Sequence, residues 1–524
     1  MAVELSPKPV EEEDRQQQPE QKQEHEAEEE EEAFDAPSHH PSAPPDELFD
    51  ISTTVDPSYI ISLIRKLIPA TVGGNHSVDG INTGNDCGKV YAPTIMDVVD
   101  DDSDKSACQE GESKDLSKRS KCPGMSTADE VWEEYGCVLW DLAASRTHAE
   151  LMVQNHILEV LLANLRVSKS VRATEISLGI LGNLACHEVP LKCIISTNGM
   201  IETIIEQLFS DDIQCLCEAS RLLTVGLQGG ESTLWAKALH SEHILGRILW
   251  IVENTLNVQL LERSTGLILA IIESSDKVIS VLTSLMKLNL PNLLVSLLAF
   301  EMINLTGDRV PERYSVLDVV LRATEALSSA DGHSQEICTN KELFKLVCDL
   351  VKLPDKVEVA SSCVTAAVLI ANILSDVPDL ALDLSEDLPF LDGLLDMFPF
   401  ASDDVEARSA IWSILARILV RVKENEMSLS SLRQYVLILV SKSDLIEDDL
   451  LDRQLDNLQE ESKSSTSSGM KPNARRTAIE RIIRILNQWN ASRKAPEWTE
   501  MMLGYGGVHV NVDRLLDCCC RHFV

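Results

Sequence analysis

The stretch Leu178-Gly-Ile-Leu-Gly-Asn-Leu184 (LGILGNL) decides the fold, because variants of it return along the chain. GCVLWDL ends before it at Leu142, and RLLTVGL ends after it at Leu227. Then come GLILAI to Ile271, RATEAL to Leu327, VLIANI to Ile373 and ILARI to Ile418. The final residues are separated by 42, 43, 44, 56, 46 and 45 residues. Ile176, Ile180, Leu181 and Leu184 fall on one face of a helix, so each variant reads as an amphipathic helix of the same kind.

A period of about 40–47 residues is that of armadillo and HEAT units, in which a few helices form one layer and each layer covers its neighbour. The 56-residue interval is explained by a polar, turn-rich insert, Leu305–Ser315 (LTGDRVPERYS). Shorter apolar helices end near Leu165, Leu208 and Ile251 within the periods. The turns Ser210-Asp-Asp-Ile213 and Ser402-Asp-Asp-Val405 repeat at 192 residues and can cap the helices that follow. Gly199 suits a sharp bend before Met200, and Glu175, Glu218 and Glu262 recur near helix starts, where a carboxylate favours the dipole. The expectation is an all-α, armadillo/HEAT-like right-handed α-solenoid with a concave groove.

Composition agrees with this expectation. Of 524 residues 44% are apolar but only 4% aromatic, and 84 acidic against 46 basic side chains leave a formal charge of −38. Few aromatics argue against a β-sandwich or barrel. The charge argues against direct nucleic-acid binding, since phosphate is repelled without a local basic stripe. Residues 1–125 hold 28 acidic and 11 basic side chains, so this part is the more negative per residue. With its Glu/Gln run Glu11–Glu32, it reads as disordered. The island Tyr59–Ile68 (YIISLIRKLI) has helical spacing and can dock. The expected organisation is a disordered acidic region over 1–126 and repeats over 127–455. A flexible Ser-rich loop over 456–475 and a helical cap over 476–524 complete it, with Ile479, Ile482, Ile483, Leu486 and Trp489 on one face of the cap's first helix.

The polar N-terminus lacks a signal-peptide core, and apolar runs such as Gly266–Ile272 fall short of a membrane span of roughly 20 residues. Cys137, Cys186, Cys193, Cys348 and Cys363 read as small buried thiols of an intracellular protein. Cys518-Cys519-Cys520 near the end reads as reduced thiols on a helix, since Arg521 occupies the place a prenylated cysteine needs.

The stretches Val131–Met152 (VWEEYGCVLWDLAASRTHAELM) and Glu175–Val189 (EISLGILGNLACHEV) resemble signature segments of the serum amyloid A-like, or synoviocyte-proliferation-associated, family. That resemblance implies an armadillo-like fold, a nuclear location (the cytoplasm being the alternative) and a link to cell proliferation. It supplies no catalytic or ligand residues.

No phosphate-binding loop, nucleophile elbow or zinc-protease motif occurs, so no catalytic residue, metal or cofactor is assigned and the chain reads as a non-enzyme. Protein partners, bound through the groove and the acidic tail, are expected instead. In armadillo transport adaptors an Asn one residue before each repeat's terminal Leu grips an extended peptide. The matching positions are Asp141, Asn183, Gly226, Ala270, Ala326, Asn372 and Arg417, which makes Asp141, Asn183 and Asn372 the candidate groove residues. The Trp positions hold Cys137, Gly179 and Val368, which argues against a carrier of basic import signals, and the Asn side chains have the alternative role of satisfying neighbouring backbone. Ile95, Val98 and Val99 beside Asp100–Asp104 form a candidate SUMO-interacting motif. Lys118-Arg119-Ser-Lys121 and Lys471…Arg476 are short basic patches. The readings are a nuclear scaffold, a transport adaptor for basic peptides, or a regulatory subunit docking through a convex helical face.

Overall fold

The structure is a computed structural model that describes residues 55–69, 127–274, 279–307, 309–460, 474–492 and 508–523. The acidic run 11–32, the candidate motif at Ile95, Val98 and Val99, the patch at 118–121 and most of the Ser-rich loop lie outside the described residues. Every regular element among the described residues is a helix.

The repeat motifs form a row of long helices: α2 (Thr127–Leu142), α5 (Val171–Ala185), α8 (Ile213–Gln228), α11 (Val258–Glu273), α14 (Tyr314–Ser329), α17 (Ala360–Asp376) and α20 (Val405–Arg421). Each packs on the next, and α20 packs in the same way on α23 (Ala474–Ser492). The 42–56-residue spacing of the sequence is thus the spacing of neighbours in this row. Between consecutive long helices lie a short first helix and a second helix. The first helices are α3 (Arg146–Gln154), α6 (Glu188–Ser196), α9 (Ser232–Leu239), α12 (Ile279–Lys287), α15 (Ser334–Cys338) and α18 (Leu380–Glu386). The second helices are α4 (Ile157–Val167), α7 (Met200–Glu206), α10 (Glu242–Asn254), α13 (Leu290–Thr306), α16 (Lys341–Val351) and α19 (Leu388–Leu395). Layer on layer, this is an α-solenoid of the armadillo type.

Local chemistry fixes where the long helices begin. Ser170, Asp212, Asn257 and Asp404 each accept a backbone N–H three residues on, at 2.9–3.2 Å, and such a cap contributes about 1 kcal/mol. Helices α14 and α17 start from 3-10 turns instead, at Pro311–Arg313 and Val357–Val359. Gly199 turns the chain at φ +77°, as its position before Met200 suggests. The apolar side is buried throughout: Ile176, Ile180, Leu181 and Leu184 are 0% exposed, and each such side chain contributes about 1.5–3 kcal/mol.

Several expectations need correction. Pro57–Lys66 is a helix, α1, that buries Ile60, Leu63, Ile64 and Leu67 against α2 and α3. Asn164 of α4 donates to the Leu67 carbonyl at 2.9 Å. The island within 1–126 is therefore part of the repeat array, packed ahead of α2 at its start. At the other end, α21 (Leu429–Ser441) and α22 (Ser443–Glu460) precede α23, which occupies a repeat position, and among the described residues α24 (Val508–His522) alone lies across the end, on α21, α22 and α23. Ile479, Ile482, Leu486 and Trp489 are buried as the helical spacing indicates.

The longest interval is absorbed partly by helix, not by a loop alone. Helix α13 runs 17 residues to Thr306, and the turn behind it is pinned by Arg313, which donates to Glu301, 2% exposed, from Nε at 2.8 Å. Glu175 and Glu218 do more than face a helix dipole, since they pair with Arg172 and Arg221 at 2.6 Å. Cys348 and Cys363 are buried, but Cys137 and Cys193 are half-buried and Cys186 is exposed at the end of α5. Cys518 and Cys519 are buried in α24, where burial pushes the Cys519 thiol up to about 12. One apolar segment does reach span length: Val357–Asp376, 20 residues with mean hydropathy 1.9. Here it packs as a long helix between α14 and α20, with Leu369, Ile370, Ile373 and Leu374 at 0% exposure.

Close approach between second helices leaves no room at one glycine. A Cβ on Gly393 of α19 would stand 2.3 Å from the Val351 carbonyl oxygen, whereas one on Gly246 of α10 would meet nothing within 4 Å. Gly393→Ala is expected to lose about 1–3 kcal/mol, and Gly246→Ala to gain about 0.5–1 kcal/mol. Thermal unfolding of the two variants should shift Tm in opposite directions.

Candidate interaction face

The row of long helices presents one continuous side, and hydrogen bonds one repeat apart lace it together. Asn183 Nδ2 donates to the Trp140 carbonyl at 2.9 Å, 43 residues away, and its Oδ1 accepts from Arg221 Nη1 at 3.2 Å. Asn372 Nδ2 donates to Ser328 Oγ at 3.0 Å and to Glu325 Oε1 at 3.3 Å. Both candidate asparagines thus bond neighbouring helices, the first to a backbone carbonyl and a guanidinium, the second to side chains. Asp141 is exposed at the end of α2, close to Asn183 through the Trp140 carbonyl; Asn372 lies four long helices beyond Asn183. Of the other positions in that register, Gly226 and Ala270 are buried and do not reach the face, while Ala326 and Arg417 are half-buried.

The first part of the face is filled by the chain itself. The Trp140 indole lies where a Gly179 Cβ would come within 2.1 Å of it, and the Arg221 guanidinium lies likewise over Gly182. Arg221 is held there by Glu218, by Asn183 and by the Gly179 carbonyl at 3.2 Å. The wall position that Gly179 leaves bare is therefore occupied by an indole from the preceding helix.

Further along, the face opens into a cleft of about 400 Å³ between α11, α14, α17 and α20. Five carboxylates, Glu273, Asp318, Glu325, Asp404 and Glu406, line it with a single guanidinium, Arg322. Val364 and Val368 give it an apolar floor. Ser361 Oγ donates to Asp318 Oδ1 at 2.8 Å, and Asp404 also caps α20. Burial raises the Glu325 pKa above its ordinary value, the charges of Glu406 and Glu273 push the same way, and the Asn372 hydrogen bond and Arg322 oppose them. Such a site attracts cations. It was missed in the sequence because its residues come from four layers. The available signal is register: Asp318, Ser361 and Asp404 are spaced by 43 residues each.

A second opening of about 610 Å³ lies at the other ends of α17 and α20, beside α18 and α23, and carries Arg417, Arg421 and Lys423. A third, about 410 Å³, lies between the second helices α10 and α13 and is mainly apolar. Leu256 is 95% exposed beside it. Trp250 and Phe300 are half-exposed beneath the Arg247 and Arg313 guanidinium groups, at 4.6 and 5.0 Å. Among the described residues no group of three or more His, Cys, Asp or Glu is placed to hold a metal ion.

No protein-family model matches the chain. Among solved structures, a designed armadillo repeat protein, YIII(Dq)4CqI, matches with a TM-score of 0.38 at 13% identity, over 47% of this chain and 95% of that one. An engineered protein of the Northeast Structural Genomics Consortium matches with a TM-score of 0.40 at 16% identity, over 76% and 96%. The curated relatives are Protein SAAL1 of Homo sapiens, 26% identical over 197 residues (37% of either chain), and Protein saal1 of Danio rerio, 26% identical over 235 residues (42% of this chain and 48% of that one). Protein saal1 of Xenopus tropicalis is 30% identical over 135 residues, 25% of this chain and 29% of that one. The chain spans less than half the length of each of these relatives. These matches bear out the resemblance read from Val131–Met152 and Glu175–Val189: the chain is similar to the SAAL1 proteins, with an armadillo-like helical fold.

Proposed function

We propose that this chain is a non-enzymatic scaffold that binds other proteins through its long-helix face, and that the acidic cleft receives Lys or Arg side chains of an extended partner segment. The observation that carries the reading is the cleft itself, with five carboxylates against one guanidinium in a concavity spanning four layers. A cation entering it relieves the repulsion that Glu406 and Glu273 exert on Glu325, and pairs with the Glu325 carboxylate, which is already partly stripped of water. The family resemblance supports a nuclear location and a link to cell proliferation as part of the same proposal. The transport-adaptor reading is weaker, because Trp140 and Arg221 fill the α2–α5–α8 part of the face and both asparagines are engaged within the chain. The apolar opening between α10 and α13 favours the regulatory-subunit reading as a second surface.

Fluorescence anisotropy of the full chain with an eight-residue peptide carrying two lysines, against its glutamine analogue, tests the cleft. Asp318→Asn with Glu406→Gln is expected to weaken the lysine peptide about tenfold, which is about 1.4 kcal/mol, and to leave the glutamine peptide unchanged. Equal affinity of both peptides for both proteins would sink the reading.

The sign of the pH dependence follows from Glu325. Its pKa is raised in the folded chain, so its ionised form is disfavoured there. The resulting loss of stability grows as pH rises from the unfolded value toward the raised one. Glu325→Gln should therefore raise Tm at pH 7 and have no such effect below pH 4, where both proteins are neutral at this site. Lysine-peptide binding should strengthen over the same rise in pH, and less so in the variant.

A further inference from the structure

The opening at the far ends of α17 and α20 inverts the chain's charge. Its lining carries three cations, Arg417, Arg421 and Lys423, and no carboxylate, in a protein whose formal charge is −38. Its apolar lining comes from the buried Ala381 and Ala416 and, nearer the surface, from Pro378, Leu382 and Val420.

Arg417 is the unusual member. It is half-buried, yet among the described residues no carboxylate lies within 4 Å of it, and its one hydrogen bond runs from Nη2 to Ser375 Oγ at 2.9 Å. A guanidinium has five N–H donors, so most of Arg417's donors are unspent. Burial alone pushes its pKa below the ordinary value, with no opposing charge to restore it. The other half-buried or buried arginines on the long helices are engaged: Arg172 by Glu175, Arg221 by Glu218, Arg408 by Asp449, Arg481 by Glu424, and Arg475 through the Leu450 carbonyl.

The rim cations are loosely held. Arg421 donates to the Pro378 carbonyl at 3.4 Å and lies 3.9 Å from Asp379, whose side chain is fully exposed. Lys423 and Glu426 form a pair about 70% exposed on both sides, the kind worth little in water. An incoming anion displaces little to gain two guanidinium forks.

We propose that this opening is a subsite for an anionic side chain, a carboxylate or a phosphorylated serine or threonine, on a peptide segment of a partner protein. Arg417 provides the desolvated fork, Arg421 and Lys423 the outer charges, and Leu382 with Val420 a seat for an adjacent apolar residue. The inference rests on the scaffold reading for its partner class, but not on the acidic cleft. Helix α20 carries both sites: Glu406 and Arg417 are eleven residues apart, about 16 Å along a helix axis and within reach of about five extended residues.

The test uses the full chain and three eight-residue fluorescent peptides identical except for phosphoserine, glutamate or serine at one position beside a leucine. Affinity is expected to fall in that order, phosphoserine over serine by at least about tenfold, and the difference to shrink as salt rises. Arg417→Gln with Arg421→Gln should abolish the discrimination while leaving the lysine peptide's affinity unchanged. Arg417→Lys, which keeps the charge but loses the fork, should lie between and guards against misfolding of the double variant. No discrimination by the unaltered protein, or discrimination that survives the double substitution, overturns the subsite. Loss of lysine-peptide binding with phosphoserine discrimination intact would refute the acidic cleft alone.

Discussion

Side-by-side packing of one long helix on the next, a repeat apart, is what the rest of the molecule depends on. No layer covers its apolar side alone: Ile176, Ile180 and Leu181 of α5 are fully buried in a helix that α2 and α8 flank and on which the shorter helices α4 and α6 also pack. The polar laces obey the same interval. Asn183 reaches Trp140, Ser361 reaches Asp318, Arg417 reaches Ser375 and Asn372 reaches Ser328, at separations of 42–44 residues. Stability in such an array is close to a sum over adjacent layers, so a change at one layer is felt mainly by its two neighbours.

That locality governs how the face can carry function. With no compact interior to converge on, side chains from distant parts of the chain meet only by standing at the same height on adjacent long helices. Asp318 and Asp404 share the acidic cleft for that reason, and Arg417 meets Ser375 for the same one. Near the N-terminal end the same geometry works against an open surface. The missing side chains of Gly179 and Gly182 admit Trp140 and Arg221, and the face closes on itself.

The architecture was legible because its cause is periodic. Motifs ending at Leu142, Leu184 and Leu227 are the ends of three buried helices, and the caps at Asp212 and Asp404 repeat with them. The docking of α1 was legible only as an amphipathic island, since its partners Asn164 and α2 are remote in sequence and charge dominates the residues around it. The interaction face was legible in part. Asparagine spacing marked the height at which helices are laced, but spacing says nothing of what each amide bonds. The clefts were hidden because each is a sum over layers. Glu325 is unremarkable until Glu406, 81 residues on, is brought beside it. Nor does composition separate α17 from a membrane span, since a core helix flanked by apolar helices needs the same residues.

One bland account of the charges on α20 deserves weighing, because it fits their signs. Acids at a helix N-terminus and arginines at its C-terminus complement the macrodipole, at 0.3–1 kcal/mol each when exposed. Glu406 stands in the first turn and Arg421 in the last, and for these two the dipole suffices. It does not suffice for Arg417, a turn inside the end and half-buried, where loss of hydration opposes the charge and no carboxylate among the described residues offsets it. Nor does it account for Glu325, on a different helix and pushed by Glu406 away from ionising. A chain selected for stability alone would join each in a direct ion pair, as it does for Arg408 with Asp449 and for Arg481 with Glu424. Leaving both without an ion pair among the described residues, in openings of opposite sign along one helix, makes sense where a partner chain brings the opposite charges.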